Sequence, residues 1–333
     1  MTSDIARAAN AVLFPAFDNW DLDADMRPFL DSGGCSLLVG ESRQEYVQRR
    51  MSEERRDSES PDLFRAHLAR LKASTDGLIV AVDEELAGTR RLEGLVPDLP
   101  SLAAAIAMPD ADLEAACFRN AAAARELGVT MYLAPIVDVV DGTNPWLLNR
   151  TLGRDPDVVA RLGAAFVRGV QKAGIATATK HFPGFNHLPL DPALTDVVLE
   201  TETGQIEVYA ETFAAMIAAG TRAVMVGPAA VRSIDPINAA CVSPAVISML
   251  REKFGFTGLV ISDDLDAPAT ARGQNLIDTA VASLNAGAEL LLFSGRSHLR
   301  QISEGLVEAV SSGDLSERRL LQAAERVRSF VSS

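Results

Sequence analysis

The chain has 333 residues, and its 31 lysines and arginines stand against 45 aspartates and glutamates, which gives a net charge of −14 at pH 7. Such a surface repels phosphate backbones and anionic headgroups, so we expect no nucleic acid or membrane partner and a neutral or polar small molecule instead. Three separated cysteines, Cys35, Cys117 and Cys241, form no CxxC pair and predict neither a disulfide framework nor a zinc site.

The N-terminal segment lacks a basic start followed by a long apolar stretch and a small-residue cleavage site, so it does not resemble a secretion signal. No uninterrupted apolar run approaches the roughly 20 residues that span a bilayer. We therefore expect a soluble, cytoplasmic protein.

Eight short β-rich apolar runs follow one another along the chain: 10–17, 34–40, 77–83, 128–139, 174–182, 221–227, 258–264 and 288–294. Helical patterns lie between most of them, such as 110–128, which closes on a glycine, and 243–255, which opens with Ser243 as N-cap and a proline. Runs that are apolar throughout predict strands buried on both faces, hence a parallel sheet covered by helices. Eight such units favour an α/β fold of the (β/α)₈ TIM-barrel type, and since no linker divides the chain we predict a single domain over 1–333.

The segment 43–72 departs from this pattern because it is strongly charged. It predicts a solvated helix pair that breaks at DSESPD, residues 57–62.

Active sites of (β/α)₈ barrels lie at the carboxyl ends of the strands, so the polar residues just after each run are the candidates. They are Asp83, Asp138, Arg150, Lys180, His181, Asp263 and Asp264. An acid, an arginine, a lysine and a histidine at one mouth can bind several sugar hydroxyls, and a carboxylate after the seventh strand could attack an anomeric carbon. Other interpretations stay open: Asp138 or Asp264 could cap a helix, Lys180 could form a buried ion pair, and His181 could be a core histidine.

Five segments, in order, resemble glycoside hydrolase family 3 and in particular its single-domain bacterial β-N-acetylglucosaminidase (β-hexosaminidase) branch. VAVDEELAGTRRL (80–92) is similar to the family's VDQEGGRVQRL, LAPIVDV (133–139) to APVLDV, and NPWLLNRTLGRDPDVVA (144–160) to NPVIGxRSFGxDPxxVA. KHFPG (180–184) is identical to the family string, and FGFTGLVISDDLDAPA (254–269) is similar to GFxGVVxSDDLxMGA. The resemblance covers about residues 70 to 295.

This resemblance implies a retaining mechanism in which Asp263, the first aspartate of the SDD triplet, is the nucleophile. It also implies that the hydroxyls of the first sugar are bound by residues at five family positions, here Asp83, Arg91, Arg150, Lys180 and His181.

The chain departs from the family at the loop that supplies the general acid/base. In the family, KHFPG continues as HGDTxxDSH, in which the last aspartate orients a catalytic histidine. Here Asp191 keeps the aspartate, Pro192 replaces the serine, and Ala193 stands at the histidine position, while Phe185 and Asn186 replace the opening His-Gly.

Two further departures concern the same pocket. The family's GGR reads Leu86-Ala87-Gly88, which loses an arginine, and its MVSH reads Met225-Val226-Gly227-Pro228, which loses a histidine. Three losses around one pocket, with the nucleophile string intact, indicate a changed reaction or substrate.

Three functional hypotheses follow. The first is a retaining β-glycosidase of carbohydrate metabolism with a non-standard acid/base, for which His187 with Asp191, or Glu85, are the candidates. The second is a catalytically impaired or repurposed member that binds a sugar or glycosylated intermediate without hydrolysing it. The third, a Schiff-base aldolase using Lys180, is disfavoured by the KHFPG context. We expect a small-molecule glycoside as partner and no metal or organic cofactor, and the sequence does not predict the oligomeric state.

Overall fold

A computed structural model describes residues 2–20, 23–75, 77–294 and 298–332. Eight parallel strands form one sheet in the order β10-β7-β5-β4-β3-β2-β1-β11. These strands are β1 (Leu13–Phe17), β2 (Ser36–Val39), β3 (Ile79–Val82), β4 (Met131–Tyr132), β5 (Ala176–Phe182), β7 (Ala223–Val226), β10 (Leu259–Ser262) and β11 (Leu291–Ser294). A bridge from Ile261 to Leu290 joins the two ends of the sheet, so the predicted (β/α)₈ barrel is confirmed.

Most of the barrel strands are buried along their whole length, as the continuous apolar runs predict, and Ala16 of β1 is half-buried. All four residues of β2, β3, β7 and β10 are buried, and so are all seven of β5. Each predicted run contains one barrel strand, although several strands are shorter than their runs. The fourth is the shortest because the chain leaves the ladder after Tyr132 and rejoins it only through a bridge between Ile136 and Lys180.

A second, three-stranded sheet lies outside the barrel, after β5 and β7. It consists of β6 (Val198–Leu199), β8 (Ala230–Val231) and β9 (Asp235–Ala239). The sequence did not predict this sheet, because its strands are short and only one of the five residues of β9 is buried.

Helices cover the outside of the barrel. They are α1 (Thr2–Ala11), α2 (Asp23–Asp31), α3 (Arg43–Gln48), α4 (Glu53–Ser58), α5 (Pro61–Lys72), α6 (Leu102–Ala107), α7 (Asp110–Leu127), α8 (Pro156–Lys172), α9 (Thr203–Ala218), α10 (Pro244–Ser248), α11 (Pro268–Ala271), α12 (Leu276–Ala286), α13 (Leu299–Ser312) and α14 (Glu317–Ser332). A 3₁₀ turn (Ala240–Val242) precedes α10 and a π turn (Met249–Lys253) extends it. The predicted caps are present: Gly128 ends α7 in the left-handed conformation, and the Ser243 hydroxyl accepts from the Val246 N–H. No helix among the described residues is both long and apolar enough to cross a bilayer.

The charged segment 43–72 forms three helices, α3, α4 and α5, so the predicted pair was wrong. The hydroxyls of Ser52 and Ser60 each accept a backbone N–H and so cap the start of a helix. Helical structure is therefore interrupted at both positions. The segment is also less solvated than predicted, because Glu45 is buried and its carboxylate binds Arg55 at 2.8 Å. Helix α3 contributes Arg43 and Tyr46 to the site described next.

Candidate active site

A cavity of about 710 Å³ opens at the carboxyl ends of the barrel strands. Its ionisable lining residues come from strand ends and adjacent loops around the mouth: Asp18, Glu41, Arg43, Tyr46, Asp83, Arg150, Lys180, His181, Asp263, Asp264, Asp266 and His298. The side chains of Asp83, Arg150, Lys180, His181 and Asp263 therefore meet in one place, as the strand-end reasoning expected.

A buried ion-pair network forms the floor on the side of β3 and β5. Lys180 Nζ lies 2.5 Å from Asp83 Oδ1 and 3.0 Å from Glu85 Oε1, and Arg150 reaches the same Glu85 oxygen at 2.6 Å. Burial opposes ionisation of Glu85, but the charges of Arg150 and Lys180 outweigh it and hold the pKa of this carboxyl below its usual range. Both cations therefore stay charged and fixed in position.

Arg150 is held from a second side by Tyr46. The Arg150 guanidinium donates to the Tyr46 hydroxyl at 2.7 Å and lies over the Tyr46 ring, 5.1 Å from its centroid. Tyr46 belongs to α3, so the short helices after β2 help to fix the floor of the cavity.

His181 is positioned by Asp138, which follows the fourth strand. Asp138 Oδ2 accepts from the His181 backbone N–H at 3.0 Å and lies 2.9 Å from its Nδ1, while Oδ1 accepts from the Phe185 N–H at 2.7 Å. Asp138 is fully buried, and Trp146 packs on the imidazole with 4.3 Å between ring centroids. Asp138 thus orients His181 and the loop after β5 and does not cap a helix, and the Nε2 side of the imidazole remains for a ligand.

Asp263 reaches the cavity from the end of β10. Its Oδ1 accepts from the Asp264 N–H at 2.8 Å, and its Oδ2 is buried with no hydrogen-bond partner among the described residues. Burial raises the pKa of Asp263, and the charges of His181, Lys180 and Arg150 oppose that rise. A buried carboxylate oxygen of this kind can bind, or attack, an electron-poor carbon.

Two other carboxyl groups in the cavity resist ionisation. Burial and the neighbouring Asp263 and Asp266 raise the pKa of Asp264 well above its ordinary value. Burial and the charge of Asp83 raise the pKa of Glu41 to about 8. Both groups therefore ionise less readily than a free carboxyl, and a nearby positive charge would favour their ionised forms.

Arg91 lies behind the cavity and is not among its lining residues. It is 1 % exposed, donates through Nε to the Gly40 carbonyl at 2.7 Å, and binds Glu59 through both terminal nitrogens at 2.8 and 2.7 Å. Its predicted contact with a sugar stays a prediction, and in this structure Arg91 supports the residues that precede Glu41.

The loop at 191–194 brings Ala193 to the cavity wall, with Pro192 and Leu194 beside it. Asp191 does not line the cavity. Its Oδ1 accepts from the Ala193 N–H at 2.9 Å, and its Oδ2 lies 3.8 Å from the Arg43 guanidinium. The position where the family resemblance expects an imidazole therefore presents a methyl group.

Neither candidate for a substitute acid/base is free in the cavity. His187 is exposed, packs against Gly142, and is not a lining residue. Glu85 is 1 % exposed and bound by two cations, so it has no proton to donate near neutrality.

At the other two motifs where the chain departs from the family, neighbouring side chains occupy the space beside the glycines Gly88 and Gly227. A Cβ at Gly88 would collide with the Glu85 carboxylate, and a Cβ at Gly227 would collide with the Phe185 ring. Phe185 is fully buried and packs edge-on against Trp146. Pro228, at the position of the lost histidine, lines the cavity with its ring.

Sequence reasoning missed Tyr46, Glu41, Trp146 and His298, all of which line the cavity. Glu41 directly follows the second apolar run, and a rule that included the first polar residue after every run would have found it. Tyr46 and His298 lie on helices or at a helix start, where no strand-end rule applies. Among the described residues, no group of three or more histidines, cysteines and carboxylates is arranged to hold a metal ion.

Comparison with known proteins gives consistent results. The sequence profile of the glycosyl hydrolase family 3 N-terminal domain matches residues 51–330. A β-hexosaminidase from Methylococcus capsulatus is 28 % identical over 92 % of this chain and 90 % of its own length. A family 3 β-N-acetylglucosaminidase from a Paenibacillus species superposes with a TM-score of 0.87 at 26 % identity, over 97 % of this chain and 61 % of that one. A β-N-acetylhexosaminidase from Beutenbergia cavernae shares the fold, with a TM-score of 0.84 at 24 % identity, over 99 % of this chain and 98 % of that one.

Proposed function

The chain belongs to glycosyl hydrolase family 3, and we propose that it is a retaining β-glycosidase of the β-N-acetylhexosaminidase type that hydrolyses a β-linked amino sugar through a covalent intermediate on Asp263. One observation carries this proposal. Asp263 presents a buried, unpartnered carboxylate oxygen to a cavity whose floor is a fixed network of Lys180, Arg150 and Asp83.

The network suits the binding of sugar hydroxyls. Asp83 accepts hydrogen bonds, Lys180 and Arg150 donate them, and His181 is oriented by Asp138 with one ring nitrogen left for a ligand. Because these groups hold one another, they are organised before a substrate arrives, and little free energy is spent on ordering them.

The reaction has two steps. Asp263 Oδ2 attacks the anomeric carbon, an ester bond forms between them, and the bond to the leaving oxygen breaks as that oxygen receives a proton. Water then attacks the anomeric carbon of the glycosyl-enzyme, gives up a proton to the same group that donated one, and releases Asp263 as a carboxylate. His181, Lys180 and Arg150 favour the ionised form of Asp263 that attack requires.

We assign the non-standard general acid/base to Asp264. It lines the cavity and follows the nucleophile directly in sequence, and burial together with the charge of Asp263 raises its pKa and favours the protonated form that a general acid needs. The pair would thus divide the roles of nucleophile and proton donor, as two neighbouring carboxyl groups do in other glycosidases.

The nucleophile is tested by covalent labelling. An activated 2-deoxy-2-fluoro-β-glycoside should inactivate the enzyme and add one sugar mass to the peptide that contains Asp263. Absence of labelling, or a label on another residue, would refute the assignment.

The proton donor is tested with two leaving groups. Asp264→Asn should lower kcat/KM for phenyl β-N-acetylglucosaminide by about 10²-fold or more and leave the 2,4-dinitrophenyl substrate within a few fold, since a good leaving group needs little protonation. His298→Gln serves as the comparison, because His298 also lines the cavity. If His298→Gln shows that selective loss and Asp264→Asn does not, the assignment to Asp264 is wrong.

A further inference from the structure

We propose that Glu41 determines the substrate specificity of this cavity by binding a positively charged amine on the edge of the sugar opposite its anomeric carbon. The inference rests on the proposed function, which puts the anomeric carbon at Asp263. The implied substrate is a glycoside whose terminal sugar carries a free amine at C3, C4 or C6.

The position of Glu41 decides which part of a sugar it meets. Glu41 follows β2 and Asp263 follows β10, and β1 and β11 separate these strands in the barrel. The two carboxyls therefore reach the cavity from well-separated parts of its mouth. The charges that act most strongly on Glu41 come from Asp83, Arg91, Glu85 and Lys180, on the side of β3 and β5. C4 lies across a pyranose ring from C1, with C3 and C5 beside it. The proposed binding mode, with C1 at Asp263, therefore turns the C3, C4 and C6 substituents away from Asp263 and leaves them free to meet another part of the mouth, where Glu41 lies.

Glu41 has an unused acceptor. Four buried side-chain polar atoms have no hydrogen-bond partner among the described residues, and two of them belong to this cavity: Asp263 Oδ2 and Glu41 Oε2. Leaving a buried carboxyl oxygen unpaired costs free energy, and native structures usually explain such an atom by a ligand, a water or a functional role. The first of the two has a role in the proposed mechanism. The second has none there.

The charge balance of the cavity indicates what kind of donor is missing. Among the described residues, six acidic side chains line it against three lysines and arginines, and those three cations each lie within 4 Å of an acidic group other than Glu41. Lys180 and Arg150 bind Glu85, Arg43 lies 3.8 Å from Asp191, and Arg91, whose charge acts on Glu41, is bound by Glu59. None of these cations forms a salt bridge with Glu41, so a cationic ligand would supply the charge that the cavity lacks.

A substrate hydroxyl could also donate to Glu41, and the two ligands differ in what they require. A hydroxyl can bind a neutral carboxyl or an amide in the same place. An ammonium group gains most from an ionised carboxylate, and hydrogen bonds between charged partners are the stronger ones. Glu41→Gln keeps the size of the side chain and removes its capacity for charge, so it separates the two cases.

The experiment measures binding and needs no turnover. N-acetylglucosamine and its 3-amino, 4-amino and 6-amino deoxy analogues are titrated by calorimetry or NMR into the native enzyme, Glu41→Gln, and Glu54→Gln as a control. Glu54 is an exposed residue of α4 outside the cavity, so its substitution makes the same change of charge elsewhere.

We expect at least one amino analogue to bind the native enzyme about tenfold to a hundredfold more tightly than the parent sugar. That preference should disappear in Glu41→Gln and persist in Glu54→Gln. The inference is overturned if no amino analogue is preferred by the native enzyme, or if the preference survives in Glu41→Gln. Should Glu41→Gln fail to fold, the native preference must fall as the pH rises through the pKa of the sugar amine, and a preference that does not fall overturns the inference. Fluorosugar labelling of Asp263 is scored separately, so loss of the proposed function is distinguishable from loss of this inference.

Discussion

Replacing Ala193 with histidine should increase hydrolysis of glycosides that have poor leaving groups. Ala193 lines a cavity of about 710 Å³, so a larger side chain has room there. Asp191 Oδ1 accepts from the Ala193 N–H at 2.9 Å, and Oδ2 lies 3.8 Å from Arg43, beyond hydrogen-bond length. Oδ2 can therefore accept from the new imidazole and orient it.

The expected gain follows from what a positioned proton donor contributes. General acid/base catalysis by a side chain is worth about 10²–10⁴-fold, and a histidine has a suitable intrinsic pKa near neutrality. Because Asp264 already supplies part of this effect in the proposed mechanism, we expect kcat for a phenyl glycoside to rise about tenfold to a hundredfold. The 2,4-dinitrophenyl glycoside should change by no more than about twofold, since its leaving group needs little protonation.

The assay compares kcat for both substrates, and its pH profile, in the native enzyme, in Ala193→His, and in Ala193→His combined with Asp191→Asn. The double variant should lose most of the gain, because an asparagine no longer stabilises the protonated imidazole. Equal changes with both leaving groups, or a gain that does not depend on Asp191, would refute the view that a proton donor is missing at this position.

Three other outcomes follow from the contacts in and near the site. Asp263→Asn should lower kcat by at least about 10³-fold while thermal denaturation shifts little, because Oδ2 has no hydrogen-bond partner among the described residues to lose. Glu85→Gln should lower the free energy of unfolding by about 3–5 kcal/mol in urea titrations, since it leaves two buried cations short of an anion, whereas Glu207→Gln at its exposed pair with Lys253 should cost less than about 1 kcal/mol. Burial raises the pKa of Glu84 to about 7, so the native state holds a proton that the unfolded state releases above about pH 4.5. This group should therefore lower the free energy of unfolding by up to about 3 kcal/mol as the pH rises from there to 7. Glu84→Gln should reduce the slope of stability against pH by that contribution, and an unchanged slope would contradict the origin given for it.

The barrel and most of its strand-end residues were predictable from sequence because each depends on a local signal. A run apolar throughout identifies a strand buried on both faces, and the first polar residues after it must lie at the mouth. Asp83, Lys180 and Asp263 satisfy that rule directly, and they lie together in the cavity. Arg150 lies farther from its strand, in the loop that follows Asp138, and it was included as a candidate with the strand-end residues before the family resemblance assigned it to sugar binding.

The partners of these residues were not predictable, because they depend on contacts between distant parts of the chain. Glu85 is adjacent in sequence to strand-end acids and looks equally available, but its two cations come from positions 65 and 95 residues further along the chain. Arg91 matches a sugar-binding position of the family, yet Glu59 of the charged segment binds its guanidinium. The pattern of charge in 43–72 predicted solvation, because nothing local indicates that Glu59 meets a buried arginine.

The changes around the cavity are more consistent with a modified site than with loss of selection on an unused one. Loss of function leaves side chains free to shrink without compensation, and voids or unpaired charges would accumulate. Here Phe185 occupies the space beside Gly227, and the Glu85 carboxylate occupies the space beside Gly88, where it also binds Lys180 and Arg150. Asp138 still orients His181. Among the described residues that line the cavity, Glu41 and Asp263 are the carboxyls that have a buried oxygen without a hydrogen-bond partner. A site that keeps its packing and its charge pairing while it leaves two carboxyl oxygens unpaired at separate parts of one cavity is organised for a ligand. The two oxygens indicate where that ligand must make contact.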